Sequence, residues 1–364
     1  MKRTTKRTTK TMLWLLAAIG VLTACGGGSK EPAGAARSPA RQEERRINVY
    51  IWTNYLPRDV VADFEKQTGI QATVDTYDSN EALLAKLQSG VADYDVVVPS
   101  DYMIKVMVPQ GLLREIDPAK LPGMKNLDPR FLNQKYDPGN RHSIPYLWGT
   151  TGIGYDKRKV RTPVDSWRSV FDPRHAGRIL MLDDVREAFG AALRLMGRSI
   201  NETDPAVLRQ AAKMLAEQKR LVKTYNSSDF ANLLAAGDVD LAQGYNGELA
   251  EAVSHAPKRL AYVVPKEGGT LWVDNLAIPK TARHVDAAYE LFRFVLRPDI
   301  AARIVNGVHY AGANRAARDL VEPAIRDNPA IYPPPEVLDR CELIEDLGET
   351  TQLLDQLWTE IKAQ

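Results

Sequence analysis

The chain has 364 residues, of which 44% are hydrophobic and 26% charged, and a formal net charge of +2. The positive charge is concentrated before residue 47, so residues 47–364 carry a net charge of about −5 by the same count. A mildly acidic body lacks the concentrated basic surface that nucleic-acid binding requires, which argues against that class of partner. Two cysteines exclude a disulfide framework, and the length predicts two domains with conventional hydrophobic cores.

The first 25 residues have the pattern of an export signal. Five basic residues are followed by an apolar stretch, Met12 to Leu22, that is too short to span a membrane. The ending Leu22-Thr23-Ala24-Cys25 resembles the bacterial lipobox, which predicts cleavage before Cys25 and its lipidation; an ordinary signal peptide with a chance cysteine is the alternative. Residues 26–46 are rich in small and charged residues and predict a flexible tether.

The next part of the chain alternates strand and helix patterns. Strands are expected at 47–52, 70–77 and 94–98, with helices from Pro57 to Gly69 and at 80–89. This order predicts a parallel sheet, and ligands of such folds bind at the carboxyl ends of the strands. The polar and aromatic residues that follow the first and third strands are Trp52, Thr53, Tyr55, Ser100, Asp101 and Tyr102.

A second α/β block follows between two long extended segments. Its predicted strands are 178–182, 221–225 and 239–245, and its helices are 184–196, 205–215 and 228–236. The extended segments, 144–154 and 271–279, flank this block, and further helices follow from Val285. The arrangement suggests a chain that leaves its first lobe, builds a second and returns.

Two motifs offer carboxylates close to aromatic residues. Asp184 and Glu187 lie on one face at the start of a helix. Asp-x-x-Glu is also a capping pattern, so the two acids could simply cap the helix. If Asp183 serves as the cap instead, Asp184 and Glu187 are available to bind a ligand. Trp272 and Asp274 alternate along a strand and therefore point to the same side, which suits a cation. The alternative there is a core tryptophan beside a surface acid.

Tyr245-Asn246-Gly247-Glu248 ends a strand and is predicted to form a turn, but it adds an aromatic ring and an acid at a strand end. The sequence gives little support for catalysis, since it contains no Gly-x-Ser-x-Gly, His-Glu-x-x-His or Walker motif. Asp183, Asp184 and Glu187 could in principle form a glycosidase acid/base pair. We predict no catalytic residue, no cofactor and no metal.

Five segments together resemble the spermidine/putrescine-binding proteins of bacterial ABC importers. They are residues 52–55, 94–100, 144–149, 183–187 and 272–279. The resemblance implies an α/β, two-lobed type II periplasmic-binding-protein fold, in which each lobe is a mostly parallel sheet flanked by helices and the ligand lies in a hinged cleft. The implied bounds are 47–150 with 276–330 for lobe 1, 151–275 for lobe 2, and 331–364 for a C-terminal helical segment.

The resemblance also implies a set of ligand-binding residues. They are Trp52, Thr53, Tyr55, Ser100, Tyr102, Asp184, Glu187, Ser227, Tyr245, Glu248, Trp272, Asp274 and Tyr310. Tyr245 replaces the tryptophan usual in spermidine binders, and Leu343 or Ile344 replaces a polar contact. Glu248 matches an acid of the putrescine binders, whereas most of the other residues match the spermidine group. The choice between the two amines therefore stays open, with a slight preference for spermidine.

The implied function is a non-catalytic polyamine receptor in the periplasmic space. It would be a monomer, anchored to a membrane through the lipid on Cys25, and would deliver its ligand to ABC permease subunits. A polyamine is a set of ammonium groups joined by methylenes, so its pocket needs an acid for each ammonium and aromatic faces along the stem. A carboxylate-based hydrolase, or a receptor for another organic solute, remains the alternative for the same cleft.

Overall fold

The computed structural model describes residues 45–90 and 93–363. The predicted signal peptide, the lipidation site Cys25 and the tether as far as residue 44 lie outside the described residues. The first strand begins at Arg46, so the end of the predicted tether is one residue too late.

The helices and strands follow one another in an α/β order. The strands are β1 (Arg46–Trp52), β2 (Gln71–Tyr77), β3 (Val96–Val97), β4 (Ser143–Asp156), β5 (Ile179–Met181), β6 (Val222–Tyr225), β7 (Leu241–Tyr245), β8 (Leu260–Val263), β9 (Thr270–Ala277), β10 (Ala311–Gly312) and β11 (Glu342–Leu343). The helices are α1 (Arg58–Thr68), α2 (Asn80–Gln88), α3 (Asp101–Met107), α4 (Val185–Leu195), α5 (Pro205–Lys219), α6 (Phe230–Ala236), α7 (Asn246–His255), α8 (Val285–Val295), α9 (Pro298–Val308), α10 (Pro323–Arg326), α11 (Pro335–Leu338) and α12 (Thr350–Ala363).

The strands form a mixed sheet with the neighbour order β2-β1-β3-β9-β4-β7-β5-β6. At one end β1 pairs in parallel with β2 and β3, and at the other end β5 pairs in parallel with β6 and β7. Between these groups, β9 and β4 run antiparallel to each other, β9 runs antiparallel to β3, and β4 runs antiparallel to β7. The predicted α/β class and the parallel pairing within each group are confirmed.

The two long extended segments of the sequence are the central strands of the sheet. The first half of β4, from Ser143 to Thr150, pairs with β9, and its second half, from Thr151 to Asp156, pairs with β7 and β8. The strand β4 thus bridges the two halves of the sheet. Gly149 lies next to the point where the partner of β4 changes from β9 to β7. A Cβ atom there would overlap the Asn246 amide and the Trp272 ring, so the close approach of these groups to the β4 backbone requires glycine.

Several element ends lie one or two residues from their predicted positions, and three sequence expectations differ from the structure more substantially. The third strand covers only Val96 and Val97 instead of 94–98, because only these residues pair with β1. The helix α5 extends four residues beyond the predicted Leu215, and its buried face ends at Gln218, whose Nε2 donates a hydrogen bond to the Val170 carbonyl at 2.8 Å. The predicted turn at 245–248 is wrong: Asn246 begins α7, and its side chain bonds outside the helix, to the backbone of Thr150 and Ala330.

Apolar side chains pack on both sides of the sheet. The largest core cluster joins β1 and β9 to α1, α8 and α9. Another joins α4 and α5 to the C-terminal helix α12, so residues 350–363 pack beside the second parallel group. Cys341 is a partly buried free thiol. Within the described residues, no helix is both long enough and apolar enough to cross a membrane.

Candidate functional site

A cavity lies where the carboxyl ends of β1, β2 and β3 face the start of α4, the start of α7 and the strand β9. It encloses about 850 Å³ of empty space, part of which is open to solvent. All thirteen residues that the resemblance implied line it: Trp52, Thr53, Tyr55, Ser100, Tyr102, Asp184, Glu187, Ser227, Tyr245, Glu248, Trp272, Asp274 and Tyr310. Their role in ligand binding stays a prediction.

Asp274 lies at the deep side of this cavity and is 3% exposed. Ser100 Oγ donates a hydrogen bond to Asp274 Oδ1 at 2.6 Å, and the Tyr55 hydroxyl donates to Oδ2 at 2.8 Å. Burial raises the pKa of Asp274 to about 7, and the two hydrogen bonds offset only part of that rise. Trp272 lines the same cavity while Val273 is buried in the core, which confirms the predicted alternation along β9.

Glu187 is a second buried carboxyl group, at the start of α4. Its two oxygens accept hydrogen bonds from the Thr151 and Thr270 hydroxyls, both at 2.9 Å. Burial raises the pKa of Glu187, and the neighbouring charge of Asp184 adds to the rise. Buried carboxyls with raised pKa values are typical of functional sites.

Asp184 combines the two roles that the sequence left as alternatives. Its Oδ1 accepts hydrogen bonds from the backbone N–H groups of Arg186 and Glu187, at 2.8 and 3.1 Å, so it is the N-cap of α4. The same side chain lines the cavity. The alternative in which Asp183 takes the cap is wrong, because Asp183 pairs with Lys362 on α12 at 2.6 Å.

Glu248 is a further carboxyl group of the cavity and lies in the first turn of α7. The Tyr310 hydroxyl donates a hydrogen bond to Glu248 Oε2 at 3.0 Å. Burial raises the pKa of Glu248 to about 7, and this hydrogen bond acts in the opposite direction. Glu248 therefore reaches the cavity from the helix α7 and not from the predicted turn.

Aromatic rings form the walls between these acids. The Trp272 ring meets Tyr310 and Tyr245 edge-on, with centroids 5.2 and 6.0 Å apart. Tyr310 also meets Tyr55 at 5.3 Å. Trp52 is fixed by a hydrogen bond from its indole N–H to the Val98 carbonyl at 2.9 Å. Contacts with several neighbours hold the rings in place before any ligand binds.

Three polar atoms around the cavity are buried and have no hydrogen-bond partner among the described residues. They are Asp101 Oδ2, Ser227 Oγ and Trp272 Nε1. Leaving a buried polar group unpaired costs about 1–3 kcal/mol, so such groups are rare in cores and available at binding sites. The Thr53 and Tyr102 hydroxyls instead donate hydrogen bonds to acids near the cavity, Asp78 at 3.2 Å and Glu81 at 3.1 Å.

Seven further residues line the cavity that the predicted set did not include: Asn54, Tyr77, Asp78, Asn80, Asp101, Ser228 and Ile344. Tyr77, Asp78 and Asn80 follow the carboxyl end of β2, so the rule that selected residues after β1 and β3 could have found them. Asn80 positions Ser100, because its Nδ2 donates to Ser100 Oγ at 3.0 Å. None of the twenty lining residues is Lys, Arg or His.

Ile344 reaches the cavity from the C-terminal segment. Of the two residues that the sequence considered there, Leu343 belongs to β11 and Ile344 lines the cavity. Arg186 holds this segment by donating to the Glu345 carbonyl at 2.8 Å and to Asn201 Oδ1 at 2.9 Å. Ile344 is the only aliphatic side chain among the twenty lining residues and adds an apolar group to the cavity wall.

The lining of the cavity is rich in acids and suits a cationic ligand. Six lining residues are acids: Asp78, Asp101, Asp184, Glu187, Glu248 and Asp274. Within residues 45–90 and 93–363, no group of three or more His, Cys, Asp or Glu side chains is arranged to hold a metal ion. An organic cation can instead use separate acids with aromatic faces between them.

Comparisons with known proteins agree with this geometry. A family model described as bacterial extracellular solute-binding protein matches residues 59–333. Spermidine/putrescine-binding periplasmic protein 1 of Haemophilus influenzae is 36% identical over 346 residues, with 94% of this chain and 95% of the relative covered. Putrescine-binding periplasmic protein PotF of Escherichia coli is 35% identical over 344 residues, with 88% and 92% covered.

Comparison of the fold with solved structures finds related proteins. The crystal structure of the Tp0655 (TpPotD) lipoprotein of Treponema pallidum superimposes with a TM-score of 0.81 at 29% identity, over 88% of this chain and 100% of that one. The family model covers most of the chain, and the relatives match nearly their whole length. The chain belongs to the bacterial extracellular solute-binding protein family.

Proposed function

We propose that the protein is a non-catalytic receptor for linear polyamines, spermidine or putrescine, that delivers its ligand to an ABC permease for import. The names of its relatives state spermidine or putrescine binding for those proteins. In this proposal the thirteen predicted residues contact the ligand, and the protein acts as a monomer without cofactor or metal. The lipid on Cys25 anchors it to a membrane outside the cytoplasm.

The observation that carries the proposal is the separation of three buried acids within one aromatic cavity. Asp274, Glu187 and Glu248 each accept hydrogen bonds from hydroxyl groups, on different elements of the fold. Burying an ammonium group without an acid is prohibitive, and pairing restores the lost hydration only when the geometry is good. Carboxylates that are already oriented by hydroxyls lose little freedom on binding, which favours affinity.

The aromatic walls suit the rest of the ligand. Methylene groups between the ammonium centres can lie against the faces of Trp52, Trp272 and Tyr245, which line the cavity. The electron-rich faces also attract the ammonium groups by cation–π interaction, worth about 0.5–2 kcal/mol each. The distances between the acids would then select ligands by chain length.

The proposed lobes are residues 47–150 with 276–330, and residues 151–275, followed by the segment 331–364. The proposal rests on β4 and β9, which connect the two parallel groups of strands, and on the contribution of both groups to the cavity. A ligand that contacts both lobes favours a closed arrangement, because only there are all contacts made. A closed, loaded form is what a permease could distinguish from the empty protein.

Isothermal titration of the purified protein with spermidine, putrescine and 1,4-butanediol tests the proposal. Butanediol has the length of putrescine without its charges, so we expect saturable heat from the two amines and none from the diol. Product analysis of the same mixtures, and of an oligosaccharide, tests the hydrolase alternative. Binding with unchanged amines supports the receptor, whereas turnover of any compound or absence of amine binding would contradict it.

A receptor for amino acids is the other alternative. An amino-acid carboxylate needs a positive partner, and the twenty lining residues of the described cavity include no Lys, Arg or His. Titration with ornithine, which adds a carboxylate to putrescine, checks this reasoning. Ornithine that binds as tightly as putrescine would favour an amino-acid receptor.

A further inference from the structure

A large groove lies beside the cavity, next to Glu248 and Tyr310. It encloses about 1550 Å³ of empty space, part of it open to solvent. The groove and the cavity share four lining residues: Thr53, Asn54, Glu248 and Tyr310. A single layer of side chains therefore separates the two spaces.

Few side chains separate the cavity from the groove. Thr53 and Asn54 are exposed, and the link across the boundary is the hydrogen bond from the Tyr310 hydroxyl to Glu248 Oε2, at 3.0 Å. Because Glu248 lines both spaces, an ammonium group bound to it would lie at the opening between them. A substituent on that nitrogen could leave the cavity without displacing the rest of the ligand.

The walls of the groove combine polar and apolar side chains, with an apolar stretch along β2. Alternate residues Ala72, Val74 and Thr76 of the edge strand β2 face it, together with Leu56, Pro57, Val61 and Val308. Charged side chains, Arg58 and Glu251, are exposed along it. An uncharged apolar group adjacent to a cation fits this surface, because the acid lies at the opening and the apolar side chains lie beyond it.

Ile344 lines the cavity but not the groove. Its segment is fixed by hydrogen bonds from Arg186 to the Glu345 carbonyl and to Asn201. Asn201 also donates to the Leu343 carbonyl at 2.8 Å. The side chains shared between the cavity and the groove are therefore those around Glu248 and Tyr310, and the segment of Ile344 belongs to the cavity alone.

We propose that this groove is a subsite for an N-substituent, so that the protein also binds polyamines carrying an apolar alkyl or aryl group on one terminal nitrogen. The inference rests on the proposed polyamine-receptor function. The unsubstituted end of the ligand lies within the cavity, the substituted ammonium pairs with Glu248, and the substituent lies along Ala72 and Val74. We expect ligands substituted on both terminal nitrogens to be excluded, because the groove receives only one substituent.

Titration with putrescine, N-benzylputrescine and N,N′-dibenzylputrescine tests this subsite. The variant Thr76→Trp places a neutral bulky side chain in the groove, outside the residues that line the cavity. The matched control Thr73→Trp makes the same change on the same strand, at an exposed position that does not line the groove. Thermal melting without ligand verifies that both variants fold.

We expect the parent to bind putrescine and N-benzylputrescine but not the dibenzyl compound. Thr76→Trp should weaken N-benzylputrescine at least about ten-fold, or about 1.4 kcal/mol, and leave putrescine unchanged; Thr73→Trp should change neither. A parent that binds putrescine but not N-benzylputrescine overturns the groove subsite and leaves the polyamine receptor intact, as does equal binding of N-benzylputrescine by parent and Thr76→Trp. A parent that binds no polyamine overturns the receptor proposal and this subsite with it.

Discussion

The Tyr55 hydroxyl donates a hydrogen bond of 2.8 Å to Asp274 Oδ2, although 219 positions separate the two residues in the chain. Tyr55 follows β1, and Asp274 lies within β9, the strand that connects the first parallel group to β4. Ser100, after β3, donates to the other oxygen of the same carboxylate. Asp274 is thus held by two different strand ends, which makes it the natural first residue to test.

Asp274→Asn should weaken polyamine binding by about 1.5–3 kcal/mol, the scale of a charge-assisted hydrogen bond. The amide has the size of the acid, and burial already disfavours the charge in the free protein, so the melting temperature without ligand should change little. Calorimetric titration and thermal melting measure the two effects. Asp165→Asn, at an exposed ion pair with Lys266, is the control and should alter neither. Undiminished affinity in Asp274→Asn would place the ammonium elsewhere.

Polyamine affinity should fall as the pH is lowered from 8 to 6. In the free protein the pKa values of Asp274 and Glu248 are both raised to about 7, so each group is largely protonated at pH 6 and largely charged at pH 8. A bound ammonium group favours the charged carboxylates and lowers these pKa values, so binding at pH 7 releases protons. Titrations at pH 7 in phosphate and in Tris should therefore give different heats, because Tris takes up protons with much more heat. Identical heats in the two buffers would contradict the prediction.

Glu248→Ser should weaken putrescine more than spermidine. Glu248 and Tyr245 both line the cavity, and we expect a diamine to use Glu248 as the partner of its second ammonium, whereas a triamine keeps other pairings. Competition titration between the two amines in parent and variant measures the change in preference. Equal losses for both amines would show that Glu248 does not set ligand length.

Gly149→Ala should weaken binding and lower the melting temperature. A Cβ atom at this position overlaps the Asn246 amide and the Trp272 ring, neither of which is the free end of a flexible chain, so the cavity wall must shift. Overpacking of this kind costs about 1–3 kcal/mol. Gly190→Ala is the matched control, because an added Cβ there meets no atom closer than 3.6 Å and replaces a glycine within α4. A Gly149→Ala protein that melts and binds like the parent would show that Trp272 is not fixed by this contact.

The residue pattern by itself determined the α/β class, the parallel pairing of β1 with β2 and β3, and the side of β9 on which Trp272 and Asp274 lie. These features depend on short-range periodicity: alternation in strands, the 3.6-residue repeat in helices, and the rule that parallel strands end at one edge. The same rules, together with the resemblance, named thirteen residues that do meet around one cavity.

Only the tertiary structure decided how these residues are held and what else surrounds them. Asn246 begins a helix, despite a turn-forming sequence, because its side chain bonds to Thr150 and Ala330 in distant segments. Asp184 serves as cap and cavity wall together, since Lys362 from the last helix pairs with Asp183. Ile344 and the groove beside Glu248 arise from segments far apart in the chain. Such contacts depend on how distant elements pack against each other, which local sequence periodicity does not encode.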